Sequence, residues 1–254
     1  MIRVAAAADI HASDASRDRV ERAFAELEGE ADVVLLAGDL TTSGEPEQAE
    51  VVAAGCRLLD VPIFAVLGNH DHHAARTDEL EEVLGAAGVR LLDRACASCE
   101  VEGLELGVVG AKGFVGGFPG SALPDFGEPL LRRVYAETSA EAEAIARGLQ
   151  EIVHCDLRIV LLHYAPVVDT LEGEPPGIHT YLGSERLATP IAENGADLVL
   201  HGHAHAGSFE GCIGDIPVYN VAVHVTGRNF WIFELDGGGA RRGGEVVEVR
   251  EPSQ

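Results

Sequence analysis

Five short apolar runs punctuate this chain, and each ends on polar residues. Ile2 to Ala8 lead into Asp9-Ile10-His11, and residues 32–37 lead into Gly38-Asp39. Residues 62–68 lead into Asn69-His70-Asp71, residues 157–162 into His163, and residues 196–200 into His201-Gly202-His203-Ala204-His205. A short, nearly continuous apolar run reads as a strand buried on both faces. Between the first runs the spacing turns helical. Residues 13–29 place Val20, Phe24 and Leu27 on one face with Gly29 as a stop, residues 46–59 carry Pro46 in the first turn, and residues 76–87 close at Gly88. Strand–helix–strand units of this kind predict parallel pairing with right-handed crossovers.

Farther along, residues 89–92 read as a short strand, and residues 99–101 and 104–109 flank Glu102-Gly103 as a β-hairpin. Residues 111–127 are rich in glycine and phenylalanine and read as a long loop; residues 167–183, with Pro175-Pro176-Gly177, read as a second irregular segment. A long alanine-rich helix is expected over 130–150 and a short one over 184–193 with Ser184 as its N-cap. The remainder is β-rich (216–223, 229–235, 245–249), and residues 251–254 are expected to fray. No repeat or low-complexity linker interrupts the chain, so a single domain spanning 1–254 of the α/β class is expected.

In open α/β sheets the ligand site lies outside the carboxyl ends of the strands. Five strand ends bearing carboxylate, amide and imidazole therefore predict one convergent site. Each piece has a bland reading alone. An aspartate at a strand end caps a turn, a lone His163 is a satisfied core histidine, and residues 202–205 form a surface loop. Jointly, the bland readings require seven ligand-type residues to fall on five strand ends by accident. Oxygen and nitrogen donors suit Mn, Fe, Zn or Mg, and no cysteine lies near these clusters to select a thiolate-loving metal. A closed, cysteine-rich structural zinc site does not match this ligand set. Two cations about 3.5–4 Å apart would clamp the attacking and leaving oxygens of an in-line displacement.

Charge narrows the partners. Acidic residues exceed basic ones by 42 − 18 = 24, and Lys112 is the only lysine. A field of that sign disfavours long nucleic acids. It leaves room for a small phosphorylated substrate, because bound cations dominate the local potential. The acidity otherwise reads as a solvated surface that aids solubility. No apolar run is long enough to cross a bilayer, and no signal-peptide pattern opens the chain, so no membrane partner and a cytoplasmic location are expected. The cysteines (Cys56, Cys96, Cys99, Cys155, Cys212) are odd in number and scattered. Cys96-Ala97-Ser98-Cys99 does not open a helix after a strand as a redox motif should, so these cysteines are expected to be structural or incidental.

The ordered motifs Asp9-Ile10-His11, Gly38-Asp39, Gly68-Asn69-His70-Asp71, His163 and Gly202-His203-Ala204-His205 resemble those of the calcineurin-like metallophosphoesterase family. The resemblance spans most of the chain. It implies a four-layer α/β/β/α sandwich of two mixed sheets and a dinuclear, metal-dependent phosphoester hydrolase that attacks phosphorus with a metal-bridging hydroxide. By that resemblance Asp9, His11 and His205 would bind one metal, Asn69, His163 and His203 the other, and Asp39 would bridge them. His70 would contact the phosphate or protonate the leaving group, and Asp71 would orient His70. The histidines of the first and third motifs look like the bacterial cyclic-nucleotide phosphodiesterase branch. That likeness covers only the shared motifs and does not identify the branch's substrate as this chain's, and a phosphodiesterase and a phosphomonoesterase both remain open. A non-catalytic binding module of the same fold would be expected to have lost ligands, and none is missing.

His72 and His73 are expected at the surface or behind the site, and His201 behind the ligands; His154, His179 and His224 are expected to be structural or exposed. Rigid sheets usually leave specificity to loops. Lys112, Gly113, Phe114, Tyr164, Tyr181 and Arg186 are therefore the candidate substrate contacts, and segments 111–127 and 167–183 the candidate walls of the cleft.

Overall fold

A computed structural model describes residues 1–237 and 246–250. The strands are β1 (Ile2–Ala7), β2 (Val33–Ala37), β3 (Ile63–Val66), β4 (Val89–Leu91), β5 (Ala95–Val101), β6 (Leu104–Gly110), β7 (Leu157–Leu161), β8 (Leu198–His201), β9 (Glu210–Ile213), β10 (Ile216–Asn220), β11 (Trp231–Leu235) and β12 (Val246–Arg250). The helices are α1 (Arg17–Ala25), α2 (Pro46–Cys56), α3 (Thr77–Ala86), α4 (Pro129–Glu151), α5 (His179–Leu182), α6 (Ala188–Asn194) and α7 (Val223–Thr226). They build two six-stranded mixed sheets, in the orders β12-β11-β1-β2-β3-β4 and β5-β6-β7-β8-β10-β9.

Each continuous apolar run is buried on both faces, as its lack of alternation implies. In β1, Ala5 and Ala7 face α1 and α2, while Ile2, Val4 and Ala6 face the second sheet. The second sheet meets them with Leu106, Val108, Ile159 and Leu198, and its other face packs Val109, Val160 and Val199 against Ile145 and Leu149 of α4 and Ile191 of α6. Helices, sheet, sheet and helices thus form four layers. The strands that run parallel (β1 to β4, and β6, β7, β8, β10) all finish at one edge of the sandwich.

The differences from expectation are local. The hairpin begins at Ala95, earlier than expected, because β5 is a half-exposed edge strand whose composition carries no apolar alternation. Cys96 packs toward α4 and Cys99 toward the inter-sheet core, on opposite faces of β5, and both are free thiols. Residues 184–193 divide into a 3-10 turn (Glu185–Leu187) and α6, with the Ser184 side chain accepting the Arg186 N–H as an N-cap. β10 stops at Asn220 rather than at residue 223, and the short edge strand β9 precedes it. Residues 251–254, expected to fray, lie outside the described residues. Among the described residues, no helix is long and apolar enough to cross a membrane.

Candidate metal centre

The ends of β1, β2, β3, β7 and β8 bring Asp9, Asp39, Asn69, His163 and His203 to one edge of the sandwich. The turn into that site is abrupt. Asp9, His11, Asp39 and His203 all adopt left-handed backbone, with φ of 58°, 47°, 50° and 71°. Such conformations cost a non-glycine residue of order 1 kcal/mol or more and persist where the surroundings impose them. Those surroundings are visible in the hydrogen bonds. Asp9 N–H donates to the Gly38 carbonyl and His11 N–H to the Asp39 carbonyl, each at 3.0 Å. His203 N–H donates to Asp9 Oδ2 and His70 N–H to Asp39 Oδ1. Close approach is secured by Gly68 and Gly202. A Cβ on the first would overlap the Asp39 carboxylate, and one on the second would overlap that of Asp9.

Two clusters result, with Asp39 common to both. Asp9, His11, Asp39 and His205 bring one ligand atom each within 4.8 Å of one another, and so do Asp39, His163 and His203. His205 Nε2 is 2.9 Å from Asp9 Oδ1, and His11 Nε2 is 3.9 Å from Asp39 Oδ2. On the other side, His163 Nε2 is 3.3 Å from Asp39 Oδ1 and 2.9 Å from the Asn69 amide oxygen. Backbone carbonyls select the tautomers, the supporting role that metal-binding histidines usually need. His163 Nδ1–H donates to Ala37 O at 2.9 Å, which leaves Nε2 with a bare lone pair. His203 Nε2–H donates to Tyr181 O at 3.2 Å, which leaves Nδ1 with one. The His163 lone pair therefore faces oxygens of Asn69 and Asp39, an arrangement that a divalent cation would satisfy. Burial pushes the His163 imidazole down to about 3, so it stays neutral at ordinary pH.

The carboxylates carry the same message. Asp39 is 1% exposed. Burial, aided by the negative charges of Asp9 and Asp71, pushes its carboxyl up to about 8. Burial also opposes ionisation of Asp9, but the hydrogen bond from His205 and the histidine charges outweigh it and hold Asp9 at about 2. The donor set, hard oxygens and imidazoles around an under-neutralised buried carboxylate, fits divalent cations.

The model of the calcineurin-like phosphoesterases matches residues 2–207. The chain belongs to the calcineurin-like phosphoesterase family, and with it to the metal-dependent phosphoester hydrolases. A 56-residue stretch, 22% of this chain, is 36% identical to the "Probable glycerophosphodiester phosphodiesterase GpdQ" of Arcobacter nitrofigilis, a match that spans only 20% of that relative's length. The fold is similar to that of a phosphopantetheinyl hydrolase from Mycobacterium tuberculosis, with a TM-score of 0.60 at 15% identity over 87% of this chain and 88% of that one. It is also similar to a hypothetical protein from Thermus thermophilus, with a TM-score of 0.53 at 17% identity over 94% of each chain. At these identities the likeness is one of fold.

This phosphoesterase centre is ringed by further side chains. His70 lies at the mouth with Nε2 3.9 Å from Asp39 Oδ2, and its Nδ1–H donates to the Thr42 carbonyl at 2.8 Å. Asp71 is expected to orient His70, and its carboxylate bears on that ring through the backbone. That group is fully buried and accepts from Leu40 N, Thr41 N, Thr41 Oγ1 and Gly68 N, so it ties the loop after β2 to the loop after β3. Thr42, whose backbone that tie helps to place, holds the His70 ring. His201 sits behind the ligands, bonded to Gly202 O and Thr170 Oγ1, and burial pushes it down to about 4.

Both irregular segments reach the site. Phe118 from the first and Leu171 and Leu182 from the second cluster with Ala204, between His203 and His205. The Tyr164 ring lies 4.5 Å from that of His203 and 5.5 Å from that of His163. Arg186 departs from expectation. Its guanidinium stacks 3.8 Å over Tyr135 and bonds Tyr135 O and Ser139 Oγ on α4, away from the ligand clusters. His224 was not expected near the site, yet its ring stacks on His205 at 4.4 Å and 11°. The signal was available, because His224 follows the end of another buried strand, β10.

Proposed function

We propose that this protein hydrolyses a small phosphodiester with two divalent cations, Mn, Fe, Zn or Mg. Asp9, His11 and His205 would hold one, Asn69, His163 and His203 the other, and Asp39 would lie between them. The observation that carries this reading is the sharing of one buried carboxylate by two ligand clusters. When bound, the cations supply Lewis-acid activation of the phosphoryl group and of water. The chain's own residues do the rest. Left-handed backbone at four ligand positions fixes the donors before substrate arrives, so little reorganisation remains. His70, with Nδ1–H committed to Thr42 O, turns Nε2 toward the mouth, where the ring, once protonated at Nε2, can give that proton to the leaving oxygen. Asp71 acts behind it by keeping the two loops in register. The named activity of the Arcobacter relative supports the diester over the monoester, and the strongly acidic surface supports a small substrate over nucleic acid.

The test is hydrolysis of a chromogenic phosphodiester and its matched monoester by chelator-stripped protein, with and without Mn²⁺. Metal-dependent turnover of the diester is expected. Turnover of the monoester alone would make the protein a phosphatase. Stoichiometric metal with turnover of neither would favour the binding-module reading.

A further inference from the structure

A second cavity, of about 350 Å³, opens beside the metal centre. It lies beyond the carboxyl ends of β3, β4 and β6 and against the first turns of α3. Its floor is Leu67 and Leu91, its rim carries the carboxylates of Asp78, Glu81 and Asp93, and Lys112 closes the side toward the metals. The connection to the centre is direct. The Lys112 carbonyl accepts the backbone N–H groups of His163 and Tyr164, each at 3.0 Å. His72, also in the lining, follows His70 in the same 3-10 turn.

Lys112 is the only lysine in a chain of net charge −24. Its ammonium lies 4.5 Å from the Phe114 ring centre and 5.2 Å from that of Tyr164, a cation held by two aromatic faces. An ammonium has three donors. Among the described residues this one makes a single long hydrogen bond, to the Gly113 carbonyl at 3.4 Å. Glu141, Glu137 and Asp93 supply its nearby negative charge, and Arg94 opposes it. A half-buried cation with unspent donors beside a phosphoester centre fits a phosphoryl oxygen. Three carboxylates on the far rim fit hydroxyl or ammonium groups and repel a second anion.

We propose that this cavity receives one ester arm of the substrate. Lys112 binds a phosphoryl oxygen, and Asp78, Glu81 and Asp93 select an arm that is hydroxylated or cationic and carries no further negative charge. This deepens the phosphoesterase reading and rests on it.

The test separates binding from turnover, both on the full chain loaded with Mn²⁺ at low ionic strength. Calorimetry compares O-phosphoethanolamine with 3-phosphonopropionate. Phosphorus NMR follows hydrolysis of methyl phosphodiesters whose second arm is 2-aminoethyl, 2,3-dihydroxypropyl or 2-carboxyethyl. The cationic probe should bind about tenfold more tightly than the anionic one, and the carboxyethyl diester should be the slowest. The double variant Glu81→Lys/Asp93→Lys changes exposed rim positions and should reverse both orders. Lys112→Met should weaken both probes by about tenfold to a hundredfold, the range for a lost charge-assisted hydrogen bond, and Lys112→Arg should recover part of that. Equal affinity for the two probes, or an order unmoved by charge reversal, overturns the subsite. A binding order as expected, with no diester hydrolysed, supports the subsite and instead overturns the phosphodiesterase reading.

Discussion

Replacing Asp39 by asparagine should strengthen the metal-free protein while removing its capacity to hold metal. In the folded chain burial and two neighbouring carboxylates keep the Asp39 carboxyl protonated up to about 8, against 3.8 ordinarily. Between those values the folded state holds a proton that the unfolded state has lost. Stability therefore falls as pH rises through this window, by about 1.4 kcal/mol per pH unit. The accumulated cost is about 2 kcal/mol at pH 5 and about 4 kcal/mol at pH 7. Asparagine does not titrate, and its amide can donate to His163 Nε2, which sits 3.3 Å from Asp39 Oδ1 with its lone pair turned inward. Thermal melts of chelator-stripped protein should show Asp39→Asn above wild type, with the gap widening from pH 5 to pH 7. At about 2–4 °C per kcal/mol for a chain of this size, the widening is roughly 5–10 °C. Added Mn²⁺ should narrow the gap at pH 7, since saturation at a hundred times Kd adds about 2.7 kcal/mol to wild type and little to the variant. A metal-free variant that melts below wild type at pH 7 would refute the electrostatic account. An undiminished Mn²⁺ shift would refute the placement of Asp39 between the cations.

Gly68→Ala puts a methyl into the Asp39 carboxylate and backbone. It should cost about 1–3 kcal/mol by overpacking and lower metal content by mass spectrometry, and a fully loaded, active variant would show that the close approach is dispensable. Arg94 bonds Glu141, which is 1% exposed and also accepts the Gly113 N–H next to Lys112. Arg94→Leu should lower stability in urea by about 3 kcal/mol, the low end for a broken buried pair because Arg94 is partly exposed. His224→Ala removes the ring stacked on His205. Mn²⁺ affinity by calorimetry should fall about twofold to tenfold, the scale of one aromatic pair, and no change would make the stack incidental.

Much of the site could be read from the sequence for a specific reason. A strand buried on both faces loses its alternation, so the apolar runs before Asp9, Asp39, Asn69, His163 and His203 are recognisable, and the sheet's parallel strands aim all their ends one way. Pairing order leaves no such mark. Nothing in the residues before Ala95 or around Glu210 says that β5 and β9 are edges, because exposed strands are held by backbone hydrogen bonds rather than by apolar side chains. Roles that depend on rings meeting in space were equally hidden. Arg186 and Tyr181 sit in neighbouring stretches of chain, yet one packs on α4 and the other offers only its carbonyl to His203.

Four of the residues whose local conformation the sequence misstates are proposed metal ligands. Asp9, His11, Asp39 and His203 occupy backbone that favours glycine, and Asp39 is buried where its ionised form is less stable than in water. Taken one at a time these are errors of design, and a sequence chosen for stability would replace them. They persist together because each imposes the next. The left turn at Asp9 directs its carboxylate to His203 N–H, and the left turn at His203 leaves its ring between His163 and Tyr164. Local rules fail at a site when the site is what those residues are kept for. By the same reasoning, Asp9→Gly would relieve the backbone and lose the function, whereas glycine in an ordinary strained turn relieves the backbone and loses nothing. Metal content of the Asp9→Gly protein, set against its melting temperature without metal, distinguishes the two: a gain in both would mean that the strain at Asp9 serves no ligand.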